Sequence, residues 1–376
     1  MSQLILDLLP SLTGSPSFAT VERVLIALDR PGAATAELWL ADHRQSSLQS
    51  LRGGQVVPID GSWVGRCFAG QAELSDGDRV AVPVSARGNR LGVLTVWGDG
   101  DGAALGLLAE VLGQALLAIG STTTVYEEQR RRRELTVAAE LQWALLPGTG
   151  YADQDVTLAG LIEPAHAVAG DAFDWTRDND TVHLAVLDGP GRGVSAALAT
   201  TLALAALRNA RFSTGSIGDQ AALADQAVYA QYGGDAFTSA LLLQLDIGTG
   251  SARVVDAGSP LLLQQRAGRV EQVTLEAQLP LGMFEETLYV EQQLDLQPGD
   301  RLLVVSDGVH GVGGPDEGWL VQSLREARLL APAEVCRHVL RTLRAGWGED
   351  GPPDDAVVVC FDWHPGGAAA GVSSAG

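Results

Sequence analysis

The chain contains no lysine; all 25 of its basic residues are arginine. Combined with its alanine and glycine richness, that usage reads as a high-GC bacterial coding bias and says nothing about mechanism. Cysteine is nearly as scarce: Cys67, Cys336 and Cys360 are widely spaced, which excludes a disulfide framework and a cysteine zinc site. Basic residues are outnumbered by 46 acidic ones, giving a formal net charge of −21. A surface of that sign repels phosphate backbones and anionic lipid, so nucleic acid and membrane are excluded as partners. No apolar run approaches the roughly 18–20 residues that cross a bilayer. The start, MSQLILDLLPSL, lacks the basic opening of a secretory signal and contains Asp7. These absences point to a cytoplasmic protein.

What remains is ample for two or three domains in 376 residues, 46% of them hydrophobic. The most informative stretch is Thr181–Gly193, TVHLAVLDGPGRG. Val182, Leu184 and Val186 alternate as on a half-buried strand, which runs into Asp188-Gly189 and then an alanine-rich helical run. A carboxylate at a strand end is held in a fixed direction, and the glycine lets backbone approach closely, as a hard cation requires. Asp-Gly also occurs at Asp60, Asp76, Asp99, Asp101, Asp307 and Asp350, and most such pairs are turns. Asp188 and Asp307 differ because each closes an apolar β-run, HLAVLD and RLLVVSD.

Residues 1–120 read as one α+β domain, with a helix at Val21–Arg30, a strand at Ala34–Leu40, a hairpin pairing Asp78–Ser85 with Arg90–Gly98, and a helix from Ala103. The V-P-V strand followed by Leu91-Gly92-Val93-Leu94 resembles a GAF sensory domain, a family that commonly holds small ligands or dimerises. Cys67 beside Phe68 reads as a small buried hydrophobe more readily than as a reactive thiol. Residues 121–148 form a helical linker with Ala138, Leu141 and Leu145 on one face, ended by Pro147. Within it Arg130–Arg133 reads as a solvated helix face paired with Glu127, Glu128 and Glu134. From Val156 onward come strands at Val156–Ile162, Ala167–Trp175 and Thr181–Asp188, then helices at Val194–Phe212 and Gly218–Tyr232. An antiparallel meander, a strand at Leu288–Leu296, RLLVVSD, two further helices and a last strand, Ala356–Asp362, follow. Numerous strands with helices in segregated groups suggest two packed antiparallel sheets with helices outside. The small, polar tail, residues 365–376, is expected to be disordered.

Asp171 in V-A-G-D, Asp188 in V-L-D-G-P-G-R-G, Asp307 in V-V-S-D-G-V and Asp354-Asp355 in P-P-D-D-A-V-V-V each abut a strand end. Clustered carboxylates repel one another unless cations neutralise them, and oxygen-only ligands favour Mg²⁺ or Mn²⁺ over zinc. Together with F-T-S-A, D-A-G-S-P and L-P-L-G, these motifs from about Leu141 to Asp362 resemble the PPM-type metal-dependent protein phosphatases. Within them the chain is most similar to the branch of sporulation stage II protein E and the sigma-regulator phosphatases. That resemblance implies a four-layer α-β-β-α sandwich over residues 149–364. It implies two Mn²⁺ or Mg²⁺ ions held by Asp171, Asp188, the Gly189 carbonyl, Asp307 and Asp354, with Asp188 bridging them and Asp188, Asp307 and Asp354 carrying the chemistry. Asp355 turns to the site or away from it to fix its loop. The implied reaction is in-line hydrolysis of phosphoserine or phosphothreonine by ion-activated water, without a covalent intermediate. The implied substrate is a small phosphorylated regulator such as an anti-anti-sigma factor, and a homodimer is compatible with the sensor-and-helix arrangement.

The sequence departs from the family at four places. Ala169-Gly170 replaces a glycine pair, Gly191-Arg192-Gly193 replaces Gly-His-Gly, Ser259 stands where a histidine is usual, and His310-Gly311 follows Val309 where a glutamate is common. Arg192 reads equally as a phosphate contact and as an exposed turn residue; His183 reads as structural, and His310 could face the site. All the ligand positions survive, which favours an active enzyme whose sensor acts through the linker helix, residues 125–146. The alternative is a catalytically weak pseudo-phosphatase that binds a partner without chemistry.

Overall fold

Local sequence signals set the first elements. Ser17 and Ser62 stand in extended backbone, and their hydroxyls accept from the N–H groups of Thr20 and Gly65, opening helices by N-capping. The computed structural model describes residues 2–14, 16–29, 35–98, 102–121, 123, 145–164, 170–190, 194–258, 260–310, 317–347 and 354–366. The chain divides into two units, Met1–Glu134 and Leu135–Gly376. The expected linker helix over residues 125–146, with Arg130–Arg133, Ala138 and Leu141, lies almost wholly outside the described residues, as do Arg192 and Ser259.

The first unit comprises α1 (Ser2–Thr13), α2 (Phe18–Leu28), β1 (Glu37–Ala41), β2 (Ser47–Ser50), β3 (Val56–Pro58), α3 (Trp63–Gly70), β4 (Leu74–Asp76), β5 (Arg79–Ala86), β6 (Asn89–Trp97) and α4 (Gly102–Gly120). Its six strands form one antiparallel sheet in the order β3-β2-β1-β6-β5-β4. The β5–β6 hairpin turns through Arg87 and Gly88, both at positive φ, a conformation glycine adopts at little cost. Leu38, Leu40, Val82 and Leu94 bury one face of the sheet against Ile5, Leu25, Leu108 and Leu112 of the helices. The other face packs Ala41, Ala81 and Val93 against Val64, Cys67 and Phe68 of α3. Cys67 is fully buried and burial pushes its thiol up to about 12, so it is a packing residue.

One expectation needs correction here. Helix α4 is 19 residues long and apolar enough to cross a membrane by length and composition. Its Leu105, Leu108, Leu112, Leu116 and Ile119 are committed to the core, which is why so apolar a run occurs in a sheet-covering helix.

The second unit runs β7 (Gly150–Ala152), β8 (Val156–Glu163), β9 (Ala172–Asp178), β10 (Thr181–Asp188), α5 (Val194–Ala210), α6 (Ile217–Tyr232), β11 (Ser239–Asp246), β12 (Ser251–Ala257), β13 (Leu261–Arg266) and β14 (Arg269–Gln272). It continues through β15 (Gln292–Asp295), β16 (Arg301–Val305), α7 (Asp307–His310), α8 (Glu317–Glu326), α9 (Pro332–Trp347) and β17 (Ala356–Trp363). Two antiparallel sheets result, β15-β12-β11-β10-β9 and β14-β13-β16-β17-β8-β7. Val182, Leu184, Leu243, Leu302, Val357 and Phe361 fill the space between them. Leu187, Leu204, Ala221 and Leu242 join the first sheet to α5 and α6, and Leu161, Leu303, Val339 and Val358 join the second to α8 and α9. These are the four layers, α-β-β-α, of the PPM phosphatase fold.

Two boundaries differ from expectation. The strand expected at Leu288–Leu296 is confined to β15, because Gln278 and Gln292 side chains, not a backbone ladder, tie residues 276–292 together. In the expected disordered tail, Pro365 and Gly366 form a turn in which the Gly366 N–H donates to Asp155 Oδ1 at 3.1 Å.

Asp174, only 2% exposed, accepts from Arg208 and Arg211 at 2.6 Å each, fastening β9 to the end of α5. Removing a buried acid strands its cations, so Asp174→Ala is expected to cost about 3 kcal/mol in urea unfolding.

Candidate active site

The period of two in the strands decides where the acidic residues meet. On β10, Val182, Leu184 and Val186 enter the space between the sheets, whereas Ala185 and Leu187 face the helices. The same alternation carries Asp188 to the inter-sheet side. Strand β9 runs antiparallel beside it, with Leu187 opposite Ala172, and Phe173 between the sheets puts Asp171 on that side too. In the facing sheet Leu302 and Val304 lead to Ser306, and Val357 and Val359 lead back to Asp355. One end of the sandwich therefore gathers acids from four strand ends and two sheets.

Backbone packing holds the loops. A Cβ on Gly189 would lie 2.8 Å from the Gly170 carbonyl oxygen and would collide with Thr200 Oγ1, so neither turn tolerates a side chain there. The Thr238 hydroxyl donates to the Asp188 carbonyl at 3.1 Å. Asp354 Oδ1 accepts the Asp355 N–H at 2.9 Å, which fixes the turn before β17. Ser306 Oγ accepts the Val357 N–H at 2.9 Å and its hydroxyl also bonds Asp171.

The electrostatics follow from that crowding. Burial, and then the charges of Asp188 and Asp355, hold the Asp171 carboxyl well above the usual carboxylate range, with the Ser306 hydrogen bond working the other way. Burial, and then Asp188 and Asp354, push Asp307 up to about 6, opposed by His310 and the Gly308 N–H. Asp171, Asp188, Asp307 and Asp354 are thus electrostatic neighbours, with Gly189 beside them. Asp355, fully buried, faces Asp171. Ser306 and Thr238 join the site without having been singled out; both lie in quoted motifs, V-V-S-D and F-T-S-A, but nothing local marks them as donors to the aspartates.

Among the described residues, no three His, Cys, Asp or Glu side chains are drawn into ligating positions around one point. The donor set nevertheless fits a hard divalent cation: it is all oxygen, largely buried, and mutually repulsive in a way that two positive charges offset.

His183 lies apart from these acids. Burial, followed by Arg211, depresses its ring to about 4. The unfolded chain takes up that proton below about 6.5 and the folded chain does not until about 4, so this residue's contribution to stability is lost as pH falls through that window. The gap in melting temperature between wild type and His183→Gln is expected to narrow by about 3 °C or more between pH 7 and 4.5, measured by calorimetry.

Residues 178–364 match the family model described as stage II sporulation protein E. The phosphoserine phosphatase RsbP of Bacillus subtilis (strain 168) is 26% identical over 184 residues, covering 47% of this chain and 45% of that protein. The chain thus spans less than half the length of this curated relative. The solved RsbU and RsbW domains of a Mycobacterium tuberculosis protein superpose with a TM-score of 0.50 at 23% identity, covering 56% of this chain and 61% of that one, a likeness of fold. The SiaA-PP2C domain of Pseudomonas aeruginosa gives 0.49 at 24% identity, covering 55% and 85%.

Proposed function

We propose that this chain, whose residues 178–364 match the family model described as stage II sporulation protein E, hydrolyses phosphoserine or phosphothreonine on a small regulatory protein of the anti-anti-sigma type. The single observation that carries the reading is the convergence of Asp171, Asp188, Asp307 and Asp354 from two sheets, where burial and then neighbouring carboxylate charge raise the pKa values of Asp171 and Asp307. A residue set that repels itself this strongly is costly unless a function retains it.

Asp171, Asp188, the Gly189 carbonyl, Asp307 and Asp354 would hold two Mg²⁺ or Mn²⁺ ions, which when bound supply a nucleophile from water at neutral pH and neutralise the phosphoryl oxygens. The chain's own part is positional. Thr238 fixes the Asp188 carbonyl, and hence the start of the Asp188-Gly189 turn. Ser306 orients Asp171 while bonding to the β17 backbone. The close seat of Gly170 against Gly189 keeps the two loops in register.

Turnover of an aryl phosphate and of a phosphoserine regulator, with and without Mn²⁺, tests the proposal; no metal-dependent turnover on either substrate overturns it. That result would favour the second reading, a partner-binding pseudo-phosphatase, which the sequence departures at Arg192 and Ser259 motivate.

The N-terminal unit is a GAF-like sensor in this proposal, and it gates turnover through the linker. Leu145 and Leu146 pack on the second unit's cores and the Arg208 guanidinium donates to the Leu145 carbonyl at 2.6 Å. Leu145 also lines a small cavity with Gly170 and Asp171. A chain beginning at Gly150 is therefore expected to show altered kcat on aryl phosphate, and unchanged kcat would remove the gating idea.

A further inference from the structure

The sheet of the first unit is covered unequally. Strand alternation sends Leu38 and Leu40 to the helix-covered face, so Glu37 and Trp39 stand on the opposite one. Helix α3 closes only half of that face, through Val64, Cys67 and Phe68. The other half is a cavity of about 370 Å³, within the range of small-molecule sites. Trp39, Trp63 and Trp97, three of the chain's eight tryptophans, line it.

The charges in its wall define what fits. The Arg79 guanidinium sits between Trp63 and Trp97, 5.2 Å from each ring, and pairs with Asp76 at 2.8 Å. Arg52 pairs with Asp29 at 2.8 Å and donates to the Ala36 carbonyl at 3.1 Å. Both cations in the wall thus already have carboxylate partners. Glu37 differs: Oε1 accepts the Arg52 backbone N–H at 2.9 Å, and no donor among the described residues reaches Oε2. The acceptor left over is a carboxylate oxygen, which repels an acidic ligand and favours one that donates. Trp39 is set in advance, its Nε1–H donating to Thr95 Oγ1 at 3.0 Å, and that hydroxyl donates in turn to the Glu37 carbonyl at 3.3 Å. A ring fixed in this way loses little freedom when a flat partner stacks on it.

We propose that this cavity binds a flat aromatic small molecule carrying an amino or amidinium group, its ring against the indoles and its N–H donors on Glu37. The site is independent of the phosphatase reading, since every residue in it belongs to the first unit.

Benzamidine and adenine serve as probes and benzoate as the acidic counterpart, each titrated into the full-length chain by calorimetry and followed by saturation-transfer NMR. Benzamidine or adenine is expected to bind and benzoate not to. Glu37→Gln, which keeps the side chain's shape, is expected to weaken binding about tenfold or more through loss of a charge-assisted hydrogen bond, and Trp39→Ala to abolish it. Absence of saturation transfer from both basic probes, benzoate binding as well as benzamidine, or an unchanged Kd in Glu37→Gln would each overturn the proposal. Should Trp39→Ala fail to fold, Glu37→Gln still decides the matter.

Discussion

Asp188→Asn is expected to lower Mn²⁺-dependent hydrolysis of an aryl phosphate by about 10³-fold or more, since several kcal/mol of transition-state stabilisation pass through the ions it would hold. The same substitution is expected to leave the fold intact and, in chelator, to raise the melting temperature. Asn fills the same volume at a position 6% exposed, and the Thr238 bond goes to the Asp188 carbonyl, which the substitution keeps. What disappears is a negative charge that pushes the carboxyls of Asp171 and Asp307 upward. A variant that is inactive yet more stable identifies strain retained for chemistry. One that is inactive and less stable would make Asp188 a structural acid instead. Calorimetry in chelator, beside a turnover assay in Mn²⁺, separates the two.

How much of this was legible in advance follows from what each residue depends on. Strand β10 occupies Thr181–Asp188, as its alternation indicates, because one face meets the other sheet and the next meets helices, and that demand is written every second residue. The carboxylates at the ends of β10 and β16 were legible for the same reason. Helix α3 was not: WVGRCFAG is short, carries two glycines and lacks a sustained helical period, so its only local marks are the Ser62 cap and the left-handed Gln71 at its end. The part played by Ser306 was beyond reach, because its hydroxyl links β17 of one sheet to the Asp171 loop of the other. Asp355 was ambiguous for a related cause. Whether it faces the site depends on the phase of β17 across the inter-sheet space, and its neighbour Asp354, one residue out of phase, spends an oxygen on the turn.

Gly308→Ala is the sharper test of the backbone argument. Asp307 reaches the cluster only because α7 begins directly at the end of β16, with Gly308 pressed on the chain entering β17. A Cβ at Gly308 would run into the Asp355 carbonyl, which is backbone and cannot swing aside as a flexible side chain can. Relief requires the Asp307 turn and the Asp354-Asp355 turn to move apart, and those two turns carry three of the acids. The substitution is expected to cost about 3 kcal/mol, at the upper end for overpacking because both partners are main chain. Turnover on aryl phosphate should fall below a tenth of wild type even where the variant remains folded. Gly346→Ala is the matched control: nothing lies within 4 Å of its Cβ, and in the last turn of α9 alanine is at least as good a helix former as glycine. Equal melting temperatures and equal turnover for the two variants would show that close approach of the two turns does not shape the site.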